Sequence, residues 1–294
     1  MQKIYDVLIL GGGVAGMSAA IYAKRSGADV AIIEKTALGG ATATLTKIEN
    51  FPSQTEIDGV SLAQMFSKQV EGLDVETLYD DIISTNLKGD LKVLNGKLSS
   101  YKAKKIIIAT GISYLELGKN ENEFLGKGVS YCAVCDANFF KGQQVCVVSR
   151  KGSGIKDAKY LSKIASSVLV FDEEDMSVFA QANKVSNMSV VSNTKVEKIV
   201  GKNLVEGVQV MVDGNEKYFE TSAVFVALGR KPKTDIFGKE LALDSLGFIK
   251  TDENMQTSIS GVFAVGDVRA GVMKQIVTAC SDGAIAGKKA GEGL

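Results

Sequence analysis

Hydrophobic residues in this chain come in short unbroken runs rather than in strict alternation with polar ones. The runs lie in YDVLIL (5 to 10), KKIIIATG (104 to 111), QVCVVS (144 to 149), SSVLVFD (166 to 172), SAVFVALGR (222 to 230) and GVFAVGD (261 to 267). Apolar runs of that length, closed by glycine or a polar residue, predict buried strands. Helical or irregular stretches separate them, as βαβ units require. Two of these stretches predict helices, one ending near Gly27 and one running from Gln275 to Ala290. No short repeat, low-complexity tract or proline-rich linker interrupts the order.

The first unit carries a motif. Its strand, Tyr5 to Leu10, meets G-x-G-x-x-G at Gly11, Gly13 and Gly16, then a helix, then a second strand from Asp29 to Ile33 that runs into Glu34. That is the βαβ dinucleotide fingerprint in its proper setting. The first glycine makes the tight turn, the second admits a pyrophosphate, and the third lets helix approach strand. The helix start favours the phosphates, and Glu34 is placed to accept from a ribose hydroxyl. The segment Val7 to Ala23 carries no charge, but Gly11, Gly12, Gly13 and Gly16 break it. Strand, turn and helix therefore explain it better than a membrane span or signal segment, and a soluble, cytoplasmic protein is expected.

Composition then narrows the chemistry. Lys plus Arg and Asp plus Glu are equal at 34 each, with no basic block, so nucleic acid is not an expected partner. There is no His, which removes Ser/His and Cys/His nucleophile pairs and most zinc sites with nitrogen ligands. The chain has four Cys, and Cys132-Ala133-Val134-Cys135 is a C-x-x-C whose spacing brings two sulfurs together across one turn. A zinc reading needs two more ligands, and only Cys146 and Cys280, distant in sequence, offer thiolates; no metal is expected. Asp136 follows the pair directly, either as a proton donor to a leaving thiolate or as a helix cap. Cys146 reads as core and Cys280 as packing.

Taken together, GGGVAG (11 to 16), ENFP (49 to 52), ATG (109 to 111), GVSYCAVCDANFF (128 to 140), GVFAVGDV and QIVTA (275 to 279) resemble the low-molecular-weight thioredoxin reductase family along nearly the whole chain. The resemblance implies an α/β fold of two Rossmann-like dinucleotide-binding domains, the second inserted in the first. Residues 1–113 and 241–294 would form the FAD domain, and 114–240 the inserted domain with the redox pair. It implies FAD as cofactor, a homodimer, and thioredoxin as the protein reduced. Gly11, Gly13, Gly16 and Glu34 would hold the adenosine side. Gly39, Gly40, Thr46, Asn50 and Gly111 would line the flavin cleft, Asp267 would reach the ribityl or pyrophosphate region, and Gln275 and Ile276 would lie near the ring. Cys135 would face the flavin, Cys132 would attack the acceptor, and Asp136 would supply the proton.

One turn departs from the family pattern. Nucleotide-binding members carry a second G-x-G-x-x-A/G after a strand of the inserted domain, and here those places hold Ser149, Lys151 and Gly154. The next strand ends in Phe171-Asp172-Glu173-Glu174-Asp175, acids that would repel a 2′-phosphate. The expectation is therefore a ferredoxin-dependent flavin thioredoxin reductase. An NAD(P)H-dependent thioredoxin reductase with an altered site is the alternative, as is a non-catalytic FAD-binding redox sensor.

Overall fold

The computed structural model describes residues 3–173 and 185–293. Glu174 and Asp175 of the acidic run lie outside the described residues. The chain divides into two units, residues 1–113 with 231–294, and residues 114–230. The crossings fall at two short strands, β7 (Ile112–Tyr114) and β16 (Arg230–Pro232). The return to the first unit thus comes at Lys231, earlier than the 241 read from sequence. The reason is packing: Phe237 is 2 % exposed, and with Leu241 it belongs to the core of the first unit.

The first unit is built on a seven-stranded sheet. Its path runs β3 (Glu76–Tyr79), β2 (Val30–Glu34), β1 (Ile4–Leu10), β6 (Ser100–Ile108), β5 (Lys92–Gly96), β4 (Ile82–Asn86), with β17 (Val262–Ala264) also paired to β6. β3, β2, β1, β6 and β17 are parallel; β4 and β5 form an antiparallel edge. The unbroken apolar character of β1 follows from burial on both faces. Val7 and Ile9 pack on one side with α1 (Val14–Arg25) and α5 (Ile276–Gly291), while Leu8 and Leu10 pack on the other with Ile106, Ile108 and Phe237. Each such side chain, taken fully out of water, contributes about 1.5–3 kcal/mol.

Helices α1 and α5 join the two ends of the chain through small residues. A Cβ on Gly283 would lie 2.2 Å from the Ala15 carbonyl, and one on Gly287 2.2 Å from the Ala19 carbonyl. Only glycine permits this approach. Helix α2 (Gly59–Glu71) is capped by Asp58, whose carboxylate accepts from the Ser61 N–H at 2.8 Å.

The second unit holds a five-stranded parallel sheet in the order β11 (Met188–Val191), β10 (Ser167–Asp172), β9 (Gln144–Ser149), β15 (Ala223–Ala227), β8 (Val129–Ser130). Helices α3 (Ala133–Asp136) and α4 (Ile155–Leu161) are short. A separate antiparallel sheet, β12 (Thr194–Gly201), β13 (Val205–Val212) and β14 (Asn215–Glu220), packs Val196, Ile199, Val208 and Val210 into the core with Phe171. No helix among the described residues is long and apolar enough to cross a membrane.

Candidate functional site: a dinucleotide cradle and a redox pair

In the first unit the glycine turn after β1 is shaped by contacts that exclude side chains. Gly11 has φ +111°, and a Cβ on it would lie 2.4 Å from the Ala109 carbonyl oxygen. A Cβ on Gly16 would lie 2.0 Å from the Gly11 carbonyl. Gly13 starts α1 with no side-chain cap and no acid in the first turn. The leading amides of a helix have no partner inside it, so this end is made for an anion.

Glu34, at the end of β2, is fixed at the rim of the turn. One carboxylate oxygen accepts from the Gly12 N–H at 2.7 Å, and the other from the Lys35 and Thr36 N–H groups at 2.8 and 3.0 Å. The carboxylate remains half-exposed. Gly39 (φ +121°) and Gly40 (φ +55°) lie against the same turn: the Gly39 N–H donates to the Gly12 carbonyl at 2.8 Å, and a Cβ on Gly40 would sit 3.0 Å from Gly13 Cα.

The remaining residues proposed for this cradle arrive from three segments. Asn50 donates its amide to Gln275 Oε1 at 3.0 Å, and Gln275 caps α5, which begins at Ile276. Asp267 sits in a 3-10 turn, Gly266–Val268, directly after β17. That turn touches the start of α1, since a Cβ on Gly266 would meet the Ala15 Cβ at 2.9 Å. Gly111 (φ +69°) ends the strand region after β6, with its carbonyl accepting from Lys233 N–H at 3.1 Å. Thr46 lies exposed beyond the 3-10 turn Gly40–Thr44, and no hydrogen bond ties it to the others among the described residues.

Sequence reasoning missed what holds the Asp267 turn. Asp282, on α5 and 8 % exposed, accepts from the Gly266 N–H at 3.1 Å and from Arg269 Nε and Nη2 at 2.9 and 3.1 Å. A buried pair of this kind is tolerable because its partners are all supplied. Lys274 adds bonds from Nζ to the Asp267 and Arg269 carbonyls at 2.6 and 2.7 Å. The only sequence signal was an Asp and an Arg in otherwise apolar or small surroundings.

In the second unit Cys132 and Cys135 form a disulfide with Cα atoms 5.3 Å apart. Cys132 occupies the cap position of α3, and its Sγ accepts from the Cys135 N–H at 3.3 Å. A donor at that sulfur favours its thiolate once the bond is opened. The cap reading of Asp136 is not what the structure has: Cys132 caps α3, and Asp136 makes no cap bond to the 3-10 turn that follows. Its Oδ2 instead accepts from the Ser130 hydroxyl at 2.6 Å. Burial pushes the Asp136 carboxyl above the usual carboxylate range, and the Ser130 bond opposes that in part. Ser130 was also missed; its one signal was a hydroxyl two places before the pair.

The free cysteines behave as packing. Cys146 is fully buried in β9, and burial pushes its thiol up to about 12. Cys280, half-buried on α5, is pushed up to about 11 by the same cause. Neither supplies a thiolate near neutral pH. Among the described residues no cluster of His, Cys, Asp and Glu could hold a metal ion.

The turn after β9 closes on itself. Ser149 is fully buried, and its hydroxyl accepts from the Gly154 N–H at 3.0 Å. Asp172, at the end of β10 and 1 % exposed, accepts from the Gly152 N–H at 3.1 Å. Ser153 N–H bonds to the Arg150 carbonyl at 3.1 Å, and Ile155 N–H to the Gly152 carbonyl at 3.2 Å. Arg150 pairs with Glu173 at 2.7 Å. The sequence reading had the side chains at 149 and 151 blocking a ligand. In the structure Ser149 engages an amide of the turn from within, while Lys151 stands exposed at φ +52°.

These two sites fit the outcome of comparison with known proteins. The family described as pyridine nucleotide-disulphide oxidoreductase matches residues 5–283. A thioredoxin reductase of Peptoclostridium acidaminophilum is 37% identical, covering 99% of this chain and 97% of that one. The chain belongs to the thioredoxin reductases of this family. The solved thioredoxin reductase from Streptococcus pyogenes MGAS5005 is 37% identical with a TM-score of 0.93, covering 99% of this chain and 98% of that one. A ferredoxin-flavin thioredoxin reductase from Clostridium acetobutylicum is 27% identical with a TM-score of 0.56, covering 99% and 98%. The comparisons therefore do not single out the ferredoxin-dependent branch expected from the broken turn. Thioredoxin reductases of the family are FAD flavoproteins, and FAD is the cofactor here. The glycine contacts at Gly11 and Gly16, the open space at Gly13, the uncapped helix start and the anchored Glu34 all fit a dinucleotide.

Proposed function

We propose that this thioredoxin reductase reduces the disulfide of thioredoxin through Cys132 and Cys135. The observation that carries the reading is the disulfide at the start of α3 followed at once by a part-buried acid. When bound, FAD supplies the electron relay between the donor and this disulfide. Two electrons and two protons open the Cys132–Cys135 bond to a dithiol. The Cys132 thiol loses its proton to solvent, and the thiolate attacks the acceptor disulfide, forming a mixed disulfide and releasing one acceptor sulfur as a thiolate. Asp136 gives its proton to that leaving sulfur. Cys135 attacks Cys132 Sγ, frees the second acceptor sulfur and restores the disulfide. Assembly as a homodimer is part of the proposal.

Two electron donors have support, carried by different observations. The wider support is for a pyridine nucleotide, since the matched family is described by that chemistry and the match spans nearly the whole chain. Asp172 and Glu173 beside the turn then favour NADH over NADPH, because their charge opposes a 2′-phosphate. The ferredoxin reading has the second turn behind it: the amides of Gly152 and Gly154 are already engaged, and Ser149 fills the first glycine place. Its energetics are favourable, with a plant-type ferredoxin near about −400 mV against a thioredoxin near about −270 mV. Anaerobic reduction followed by flavin absorbance separates the two. Bleaching by NADH or NADPH supports the first, and bleaching by reduced ferredoxin alone supports the second. Thioredoxin reduction that survives Cys132→Ser would remove the disulfide mechanism under either donor.

The acid has its own pH signature. The folded protein binds the Asp136 proton more tightly than the unfolded chain, so its contribution to stability is full below the unfolded pKa. That contribution is lost as pH rises through the higher folded value. Asp136→Asn is expected to remove this slope from melting temperatures measured across the acid range. It is also expected to melt slightly higher than the parent at neutral pH.

A further inference from the structure

The redox pair has a third polar neighbour with no role in the scheme above. Ser130 ends β8 and is 4 % exposed. Its Oγ accepts from the Cys132 N–H at 3.0 Å and donates to Asp136 Oδ2 at 2.6 Å. A second acceptor lies in reach of the same hydroxyl, the Cys132 carbonyl at 3.4 Å. A hydroxyl has one hydrogen and two lone pairs, so it can serve either partner by rotating.

We propose that Ser130 is the positioning residue of Asp136, holding its carboxyl beside the Cys132 main chain in both the ionised and the protonated form. When Asp136 is ionised, the Ser130 hydrogen points to it across the 2.6 Å contact. When Asp136 is protonated, the carboxyl O–H donates to Ser130 Oγ, and the serine hydrogen turns to the Cys132 carbonyl. An acid that loses and regains a proton in every cycle needs a partner that accommodates both states without moving. Lysine in place of Ser130 would offer only donors and alanine neither donor nor acceptor, whereas a hydroxyl supplies both. The elements packed on α3 are α4, with Lys156, Asp157, Lys159 and Tyr160, and the 3-10 turn Ala137–Phe140, which has no charge. Besides burial, the Ser130 hydroxyl is what acts on the Asp136 carboxyl.

This inference rests on the reading of Asp136 as the proton donor, and the test separates the two. The carboxyl band of Asp136 is followed by infrared titration of the oxidised holoenzyme, with Asp136→Asn identifying the band. In parallel, the dithionite-reduced holoenzyme is mixed with oxidised thioredoxin and its reoxidation timed as a function of pH. Ser130→Ala is expected to move the Asp136 titration upward, because burial is then unopposed. It is also expected to slow reoxidation by about tenfold, less than the roughly hundredfold or more of losing a positioned acid, because the acid is kept and only its hold is lost. Ser130→Thr, which keeps a hydroxyl in the strand, is expected to restore both. An Asp136 titration unmoved in Ser130→Ala overturns the proposal, whether or not the rate falls. If the titration moves but Asp136→Asn reoxidises as fast as the parent, the proton-donor reading fails and the hold of Ser130 on Asp136 stands.

Discussion

After β1 the chain turns through Gly11, Gly13 and Gly16; after β9 it turns through Ser149, Lys151 and Gly154. Both turns connect a buried parallel strand to a helix, and both place an acid from the next strand against a turn amide: Glu34 on Gly12, Asp172 on Gly152. The third position is glycine in each. A Cβ on Gly154 would meet Val147 Cγ1 at 2.8 Å and Ser149 Cβ at 3.0 Å, much as one on Gly16 would strike the Gly11 carbonyl. The first two positions differ. Close packing of helix on strand and close approach of a phosphate are thus separate demands: both units carry the glycine that meets the first, and only the first unit has glycine at the two positions that serve the second.

The acids differ in the same sense. Glu34 stays partly open to solvent while its three amide bonds hold it in place. Asp172 is out of solvent, and its residue also takes the Thr194 hydroxyl on its carbonyl at 3.1 Å. One acid is held at an accessible rim and the other inside the fold. The helices match this division: α1 runs Val14–Arg25, while α4 runs only Ile155–Leu161, so the field at its start is weaker.

Substitutions can break this contrast from either side. The largest effect is expected for Gly16→Val, which places atoms where the Gly11 carbonyl already lies. Purified protein should carry no bound flavin by visible absorbance, and a full complement would remove the first turn from the cofactor site. Glu34→Gln should keep the fold and weaken flavin retention roughly tenfold, about 1.4 kcal/mol, in an equilibrium reconstitution titration. Ser149→Gly frees the Gly154 amide and sharpens the comparison. It should raise the rate of flavin bleaching by NADH several-fold, while costing about 1 kcal/mol of stability for the lost buried bond. The smallest effect belongs to Arg150→Ala, since the Arg150–Glu173 pair lies at the turn's open edge. Surface pairs contribute about 0–1 kcal/mol, so the melting temperature should move by less than about 3 °C.

The first turn was legible in sequence because its chemistry is written in glycines, which only the backbone path can explain. The Cys132–Cys135 pair was legible for a similar reason, since local spacing alone brings the sulfurs together. The ending of the inserted unit was not: residues 231–240 carry no turn signal as strong as the packing of Phe237, and packing partners far away in sequence leave no local mark. The antiparallel sheet of β12, β13 and β14 also escaped notice. NEKYFE in β14 is largely exposed, so its apolar pattern is faint. Ser130 and Asp282 escaped because a serine or aspartate reads as surface until its partner is known. Asp136 was half legible: its adjacency to the pair gave two roles, and only the structure shows that it makes no cap bond and meets Ser130 instead.

The seam between α1 and α5 has a consequence for how the protein is made. Strand β1 and helix α1 leave the ribosome well before the glycines that α1 packs against, Gly283 and Gly287. The inserted unit is contiguous and has its own core, so it can fold during synthesis. The cofactor unit must wait. The face of its first half that α5 covers stays open until Gly283 and Gly287 have been made, and cofactor capture becomes a step that follows synthesis of the inserted unit.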